Sequence, residues 1–221
     1  MRNPTSIYLL SFISFLIGVA EYVVAGILDQ ISRDLQLPIP IVGQLITVFS
    51  IAFAIGTPIV ITLTARMDRK RLLAGSMLVF AFANLIMLAL GGYGALNFAR
   101  ALSGLSGGVM EVLLLTLAAS LAPEGRKAGA IAMVVMGFSA ALVVGVPLGR
   151  VVAAWMDWRL VFAGLGLLTL AALIPVARLI PRTQGEAGVP LRQQLGLILR
   201  PRIMTVYAMT FFWISAFSIM Y

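Results

Sequence analysis

The sequence predicts an all-α integral membrane protein in which six membrane-crossing helices form two triplets set head to tail. Three observations carry this reading: an apolar composition, six apolar runs of bilayer length, and an internal repeat whose halves differ in loop charge. Of 221 residues, 61% are hydrophobic and 11% are charged, against roughly 25% charged and 45 to 50% apolar in a soluble domain. Apolar runs cover residues 6–28, 42–64, 72–91, 95–122, 130–154 and 160–179, each long enough to cross hydrocarbon as a helix.

Span 1 carries Ser11, Ser14, Gly18 and Glu21 on one helical side, so its single charge lies on its most polar face. It is too long for a secretory leader, and no small-residue cleavage pattern follows it. Residues 29–40 read as a loop, with Leu37-Pro-Ile-Pro40 non-helical near its end. Span 2 holds Gly56 and Pro58, which loosen or kink a membrane helix. It ends in the basic turn of residues 65–71. Span 3 turns at Gly91-Gly-Tyr-Gly94 into span 4, and span 5 contains Gly145-Val-Pro-Leu-Gly149. The expected organisation is a bundle over 1–180, a cytoplasmic linker over 181–202 lying partly along the membrane surface, and the truncated start of a seventh span over 203–221.

The net charge of +8 could suggest nucleic acid, but the positions of the charges point to topology. With the N-terminus placed in the cytoplasm, Arg2, Arg66, Arg69, Lys70, Arg71, Arg126, Lys127 and the five arginines from Arg178 to Arg202 lie inside. Only Arg33 and Arg159 lie outside. That asymmetry is the positive-inside pattern of a cytoplasmic membrane protein. Cysteine and histidine are absent, which removes thiol nucleophiles, disulfides, imidazole proton relays and the usual soft metal ligands. No serine–histidine or paired-aspartate constellation is present, so an enzyme is not expected, and no cofactor beyond protons is implied. Proton chemistry falls to carboxylates.

Gly18-Val-Ala-Glu21 matches Gly108-Val-Met-Glu111 at an offset of 90, and Gly56-Thr-Pro58 matches Gly145-Val-Pro147 at an offset of 89. At the same offset of 89, Ala65, Met67, Asp68, Lys70, Ala74 and Gly75 match Ala154, Met156, Asp157, Arg159, Ala163 and Gly164. A unit of three spans is odd, so the second copy must be inverted. The basic turn at 65–71 faces a counterpart at 154–160 with a single cation, as expected if the two lie on opposite sides. Inverted repeats of this kind belong to transporters, with the site near the repeat interface.

Within span 4, Arg100, Gly104, Gly107 or Gly108, and Glu111 fall on one face. Ionisable groups in hydrocarbon cost at least about 2.5 kcal/mol each, so they survive where they face protein or a watery cavity. Glu21 and Arg100 share a level, about 10 Å and about 8 Å from the outer ends of their spans. They are expected to face each other, directly or through one water, in at least one state. Glu111 lies about 16 Å deeper, as the repeat mate of Glu21, and either binds a cationic or polyhydroxylated solute, takes the coupling proton, or pairs with a polar group of a neighbouring span. The glycine faces of spans 4 and 5 are read chiefly as close-packing surfaces. Arg150 is expected to snorkel to the outer surface.

With these residues in view, the chain resembles the major facilitator superfamily, and within it the drug:proton antiporters related to sugar and arabinose efflux proteins, over an N-terminal six-span half plus the start of span 7. Glu21 to Leu28 is similar to that family's span 1 pattern, with Asp29 in place of its proline. In the loop after span 2, Leu63, Arg66, Arg69 and Lys70 match the family motif, while Ile61, Ala65 and Asp68 depart from it and Asp68 stands as the substitute carboxylate. Arg100 and Gly104 match the span 4 motif, with Ser103 replacing its glutamine, and the resemblance implies a proton-coupling role for Arg100. Gly137, Gly145, Pro147 and Gly149 resemble the antiporter motif of span 5. The resemblance implies a proton-coupled exporter of a small organic solute, a drug, sugar or metabolite, working by alternating access in the bacterial inner membrane. Its partners would be the lipid bilayer, the substrate and a C-terminal six-span half. A non-transporting half that acts as a membrane assembly module is the other expectation.

Overall fold

The computed structural model describes residues 4–89 and 91–181, with 204, 205, 208, 209, 211, 212 and 215 beyond them. Six helices are long and apolar enough to cross a membrane among the described residues. They are span 1, Pro4–Gly26; span 2, Ile39–Leu63; span 3, Arg69–Ala89; span 4, Tyr93–Leu121; span 5, Lys127–Trp155; and span 6, Arg159–Leu179. All lie within one unit, Met1–Gly185; Glu186–Tyr221 is counted as a second unit. The expected linker and seventh span fall, except for Pro181 and the scattered helical residues named above, outside the described residues.

The stretch read as a loop after span 1 is largely helical. Leu28–Leu35 forms a short helix with Ile31 buried and Asp29 and Arg33 paired on its exposed side at 2.7 Å. It stops where Gln36 takes a left-handed conformation, φ 54°, and donates its N–H to the Ser32 carbonyl. Eight residues are too few to hold a helix by propensity, so burial of the apolar side supplies what the sequence signal lacked.

Spans 2 and 5 are not continuous α-helices. Each passes through a five-residue π-helical turn, Ala52–Gly56 and Ala141–Gly145, just ahead of its proline. Proline has no N–H to give the carbonyl four residues back and crowds it, and a π turn is one way a helix absorbs that fault. The two turns stand 89 residues apart, the offset of the repeat. Thr57 Oγ1 donates to the Phe53 carbonyl at 2.5 Å, satisfying one acceptor inside the first turn.

Packing follows the same symmetry. Span 1 runs against span 5 and span 4 against span 2, while spans 3 and 6 pack on each other. Exchange of the triplets carries the first pairing into the second and the third into itself, which is the plan of an inverted repeat of three spans. Hydrocarbon gives no hydrophobic gain for helix association, so close contact through small residues must hold these pairs together. Gly104 lies on the Phe49 backbone and Gly108 on Thr57 and the Phe53 carbonyl, in span 2; Gly137 lies on Ser11 and Gly145 and Gly149 on Val19 and Val23, in span 1.

The ends are tied by polar groups. Asp68 Oδ1 accepts the Arg71 N–H at 2.8 Å, capping span 3, and Asp157 Oδ1 accepts the Arg159 N–H at 2.8 Å before span 6. Lys70 Nζ donates to the Ala177 carbonyl at 2.6 Å, in the last turn of span 6, where a cation meets the negative end of the helix dipole. At the opposite end, Asp34 of the short helix meets Arg159 Nη2 at 2.8 Å and Trp158 Nε1 at 3.4 Å. Arg150 is exposed with its stem beside Gly26, as snorkelling requires.

Candidate functional site

Arg100 is the largest fully buried side chain of the bundle, at 1% exposure. Gly104, one turn along span 4, lets that helix approach the Phe49 backbone, and this closeness brings the guanidinium within reach of two other spans. Nε donates to the Leu45 carbonyl at 3.2 Å and Nη1 to the Ala20 carbonyl at 2.6 Å. The Phe49 ring lies under the guanidinium carbon at 4.3 Å, a cation–π contact worth more when water is excluded. Helical carbonyls carry a second lone pair after their own helix bond, so they can take these donors without unwinding. One Arg100 nitrogen, Nη2, is buried without a partner.

Arg100 reaches span 1 one residue before Glu21, through the Ala20 carbonyl. In this conformation no ion pair joins the two, and Glu21 is half-buried with no hydrogen-bond partner among the described residues. Its ring neighbour Tyr22 packs edge-on against Phe138 of span 5, centroids 5.7 Å apart. The residues on either side of Glu21 thus meet span 4, through Ala20, and span 5, through Tyr22.

Glu111 is engaged across the span 1–span 4 contact. Ser14 Oγ, wholly buried, donates to Oε1 at 2.9 Å and Oε2 at 2.8 Å. Ser14 and Glu21 are seven residues apart, almost two full turns, so both acids face the same side of span 1 with about 10 Å between their levels. Of the readings open for Glu111, a polar partner from a neighbouring span is the one present in this conformation.

Ser103 accepts a hydrogen bond from Asn84 Nδ2 of span 3 at 3.2 Å, and Asn84 Oδ1 is buried without a partner. Asn84 was missed by the motif reading, although a lone amide in an apolar span is itself a functional signal. Arg66 is exposed, Asp68 caps the start of span 3 at Arg69, and Lys70 bonds the last turn of span 6. Gly137, Gly145 and Gly149 build the seam beside Glu21, and Pro147 follows the second π turn, exposed.

A six-span bundle of two inverted triplets, with a buried cation and two half-buried acids at the contact between span 1 and span 4, follows the inverted-repeat plan found in membrane transporters. The family model described as Major Facilitator Superfamily matches residues 10–221. The chain belongs to that superfamily.

An uncharacterized MFS-type transporter of Bacillus subtilis (strain 168) is 42% identical over 221 residues, covering 100% of this chain and 57% of the relative. A probable sugar efflux transporter of Mannheimia succiniciproducens is 28% identical, covering 95% of this chain and 53% of the relative. A chloramphenicol resistance protein of Streptomyces lividans is 29% identical, covering 91% and 52%. The chain thus spans about half the length of the curated relatives it matches. A crystal structure of a peptide transporter in complex with sulfate has a TM-score of 0.68 at 18% identity, covering 97% of this chain and 46% of that one, a likeness of fold.

Proposed function

We propose that this chain is the N-terminal half of a proton-coupled secondary transporter that exports a small organic solute by alternating access. The solute is a drug, sugar or metabolite. The carrying observation is the pair of acids on one side of the span 1–span 4 contact, Glu21 without a hydrogen-bond partner among the described residues and Glu111 held by Ser14, with Arg100 buried beside the first. An acid can drive a conformational cycle only if protonation changes the relative cost of the two states. A half-buried carboxylate that gains or loses a partner or water when the spans move meets that condition. Two acids also favour a cationic or hydroxyl-rich solute. The efflux and resistance names of the relatives support the outward direction. The basic turn after span 2 supports a cytoplasmic N-terminus and a seat in a bacterial inner membrane. No cofactor is needed beyond the proton, and the remaining partner is a second six-span half.

The test is uptake into everted vesicles that carry the protein at the length of its relatives, measured with and without an imposed pH gradient against a panel of solutes. Gradient-driven uptake lost in Glu21→Gln or Glu111→Gln, with binding of solute retained, supports the reading. Uptake that stays gradient-driven in both variants overturns proton coupling through these acids.

A further inference from the structure

Next to the basic turn, spans 2, 3 and 4 leave a cavity of about 290 Å³ between them, walled by Val60, Leu105 and Val109 and flanked by Arg71, Gly75 and Val79 of span 3. Those three residues are exposed and four apart, so they form one row along the outer face of the helix. From Arg71 to Val79 is about 12 Å of helix, which reaches from the end of a membrane span well into one leaflet. The Arg71 side chain has no protein partner among the described residues; only its backbone N–H is engaged, by Asp68. Its neighbour Lys70, by contrast, is spent on the Ala177 carbonyl.

We propose that this groove holds one anionic phospholipid, its phosphate on the Arg71 guanidinium and one acyl chain laid past Gly75 to Val79. The ligand chemistry follows from the order of the parts: a free cation at the mouth, at the level of headgroups, then apolar walls open sideways to the bilayer. A water-soluble solute would need several polar partners placed inside, whereas the wall offers two hydroxyls, Ser76 and Ser106, and Ser106 is already given to the Leu102 and Ser103 carbonyls, at 2.7 and 3.2 Å. Anionic lipids are drawn to basic segments at a membrane surface. The repeat sharpens the assignment: at the matching place in the second triplet Leu160 stands for Arg71 and Gly164 for Gly75, so only the basic end of the bundle has the cation. This inference is independent of proton coupling and of the exported solute.

Native mass spectrometry of the protein released from mixed phosphatidylglycerol and phosphatidylcholine nanodiscs tests it. The native chain should keep one phosphatidylglycerol in preference to phosphatidylcholine. Arg71→Ala, which removes an exposed side chain without a partner among the described residues, should weaken retention about fivefold and abolish the preference. Gly75→Phe should exclude both lipids, because a side chain there enters space with no atom within 4 Å, and its circular dichroism should match that of the native chain. Unchanged headgroup preference in Arg71→Ala overturns the proposal. So does lipid retention in a folded Gly75→Phe protein, or a Gly75→Phe effect confined to association with another protein segment.

Discussion

The Ser14 hydroxyl, fully buried in span 1, donates to both carboxylate oxygens of Glu111 in span 4, at 2.9 and 2.8 Å. The acid that the repeat pairs with Glu21 is therefore held by the same helix that carries Glu21. A hydrogen bond between membrane helices contributes about 1 kcal/mol. Ser14→Ala should lower stability by about that amount in a mixed-micelle unfolding titration. In a Glu111→Gln background the same change should cost measurably less, since neighbours that share a bond are not additive. Equal costs in both backgrounds would show that the serine acts through packing alone.

Two glycines on different faces should respond with opposite sign. A Cβ on Gly104 would strike the Phe49 backbone, which has no flexible end to give way, whereas one on Gly75 meets nothing within 4 Å. Gly104→Ala should destabilise the bundle by about 1 to 3 kcal/mol. Gly75→Ala should stabilise it by about 0.5 to 1 kcal/mol through helix propensity. Thermal unfolding of both variants in one detergent checks the pair, and a Gly104→Ala protein as stable as the native chain would deny the close approach of spans 2 and 4.

Much of this was legible in the sequence because hydrocarbon imposes a length and an apolar composition on every span, and the six apolar runs agree with the helices to within a few residues. Gly56 and Pro58 pointed to a fault in span 2, and Gly145-Val-Pro147 was read as their repeat match without a fault of its own; that both are π turns depends on backbone geometry the motif does not encode. Leu28–Leu35 was missed although Asp29 and Arg33 stand four apart as a local helix signal, because eight residues are too few for such a pair to fix a helix without burial of Ile31. The engagement of Arg100 by carbonyls rather than by a carboxylate was equally hidden: any helical residue offers a carbonyl, so no residue type announces it. Asn84 and Ser14 were visible as polar residues in apolar spans, while their partners emerge only when helices meet.

The contact of Asp34 with Arg159 and Trp158 crosses from the first triplet to the second at the end opposite the basic turn. The Arg159 guanidinium also lies over the Trp158 ring at 4.5 Å and near Asp157 at 3.5 Å. Asp34 is substantially exposed, its side chain at 42%, so solvent screens the pair and its worth is below about 1 kcal/mol. Asp34→Asn should cause a small loss of stability at low ionic strength that disappears in high salt. Unfolding midpoints measured across a salt series decide this, and a loss that persists in high salt would mean the aspartate is held by packing.

Arg100→Lys isolates geometry from charge. The guanidinium uses one nitrogen for Leu45, another for Ala20 and its flat face for Phe49, three contacts that a rigid planar fork makes together. A lysine ammonium is a point charge on a flexible stem and cannot reproduce that fork. Loss of one carbonyl bond from a charged donor should cost about 1.5 to 3 kcal/mol, with spans 1, 2 and 4 no longer joined at one point. Unfolding measurements should show that loss although the net charge is kept, and gradient-driven transport by the protein at the length of its relatives should fall with it. If lysine sustains both stability and transport, a positive charge at this depth is sufficient, and the clamp formed with Ala20, Leu45 and Phe49 is not what the bundle requires of this position.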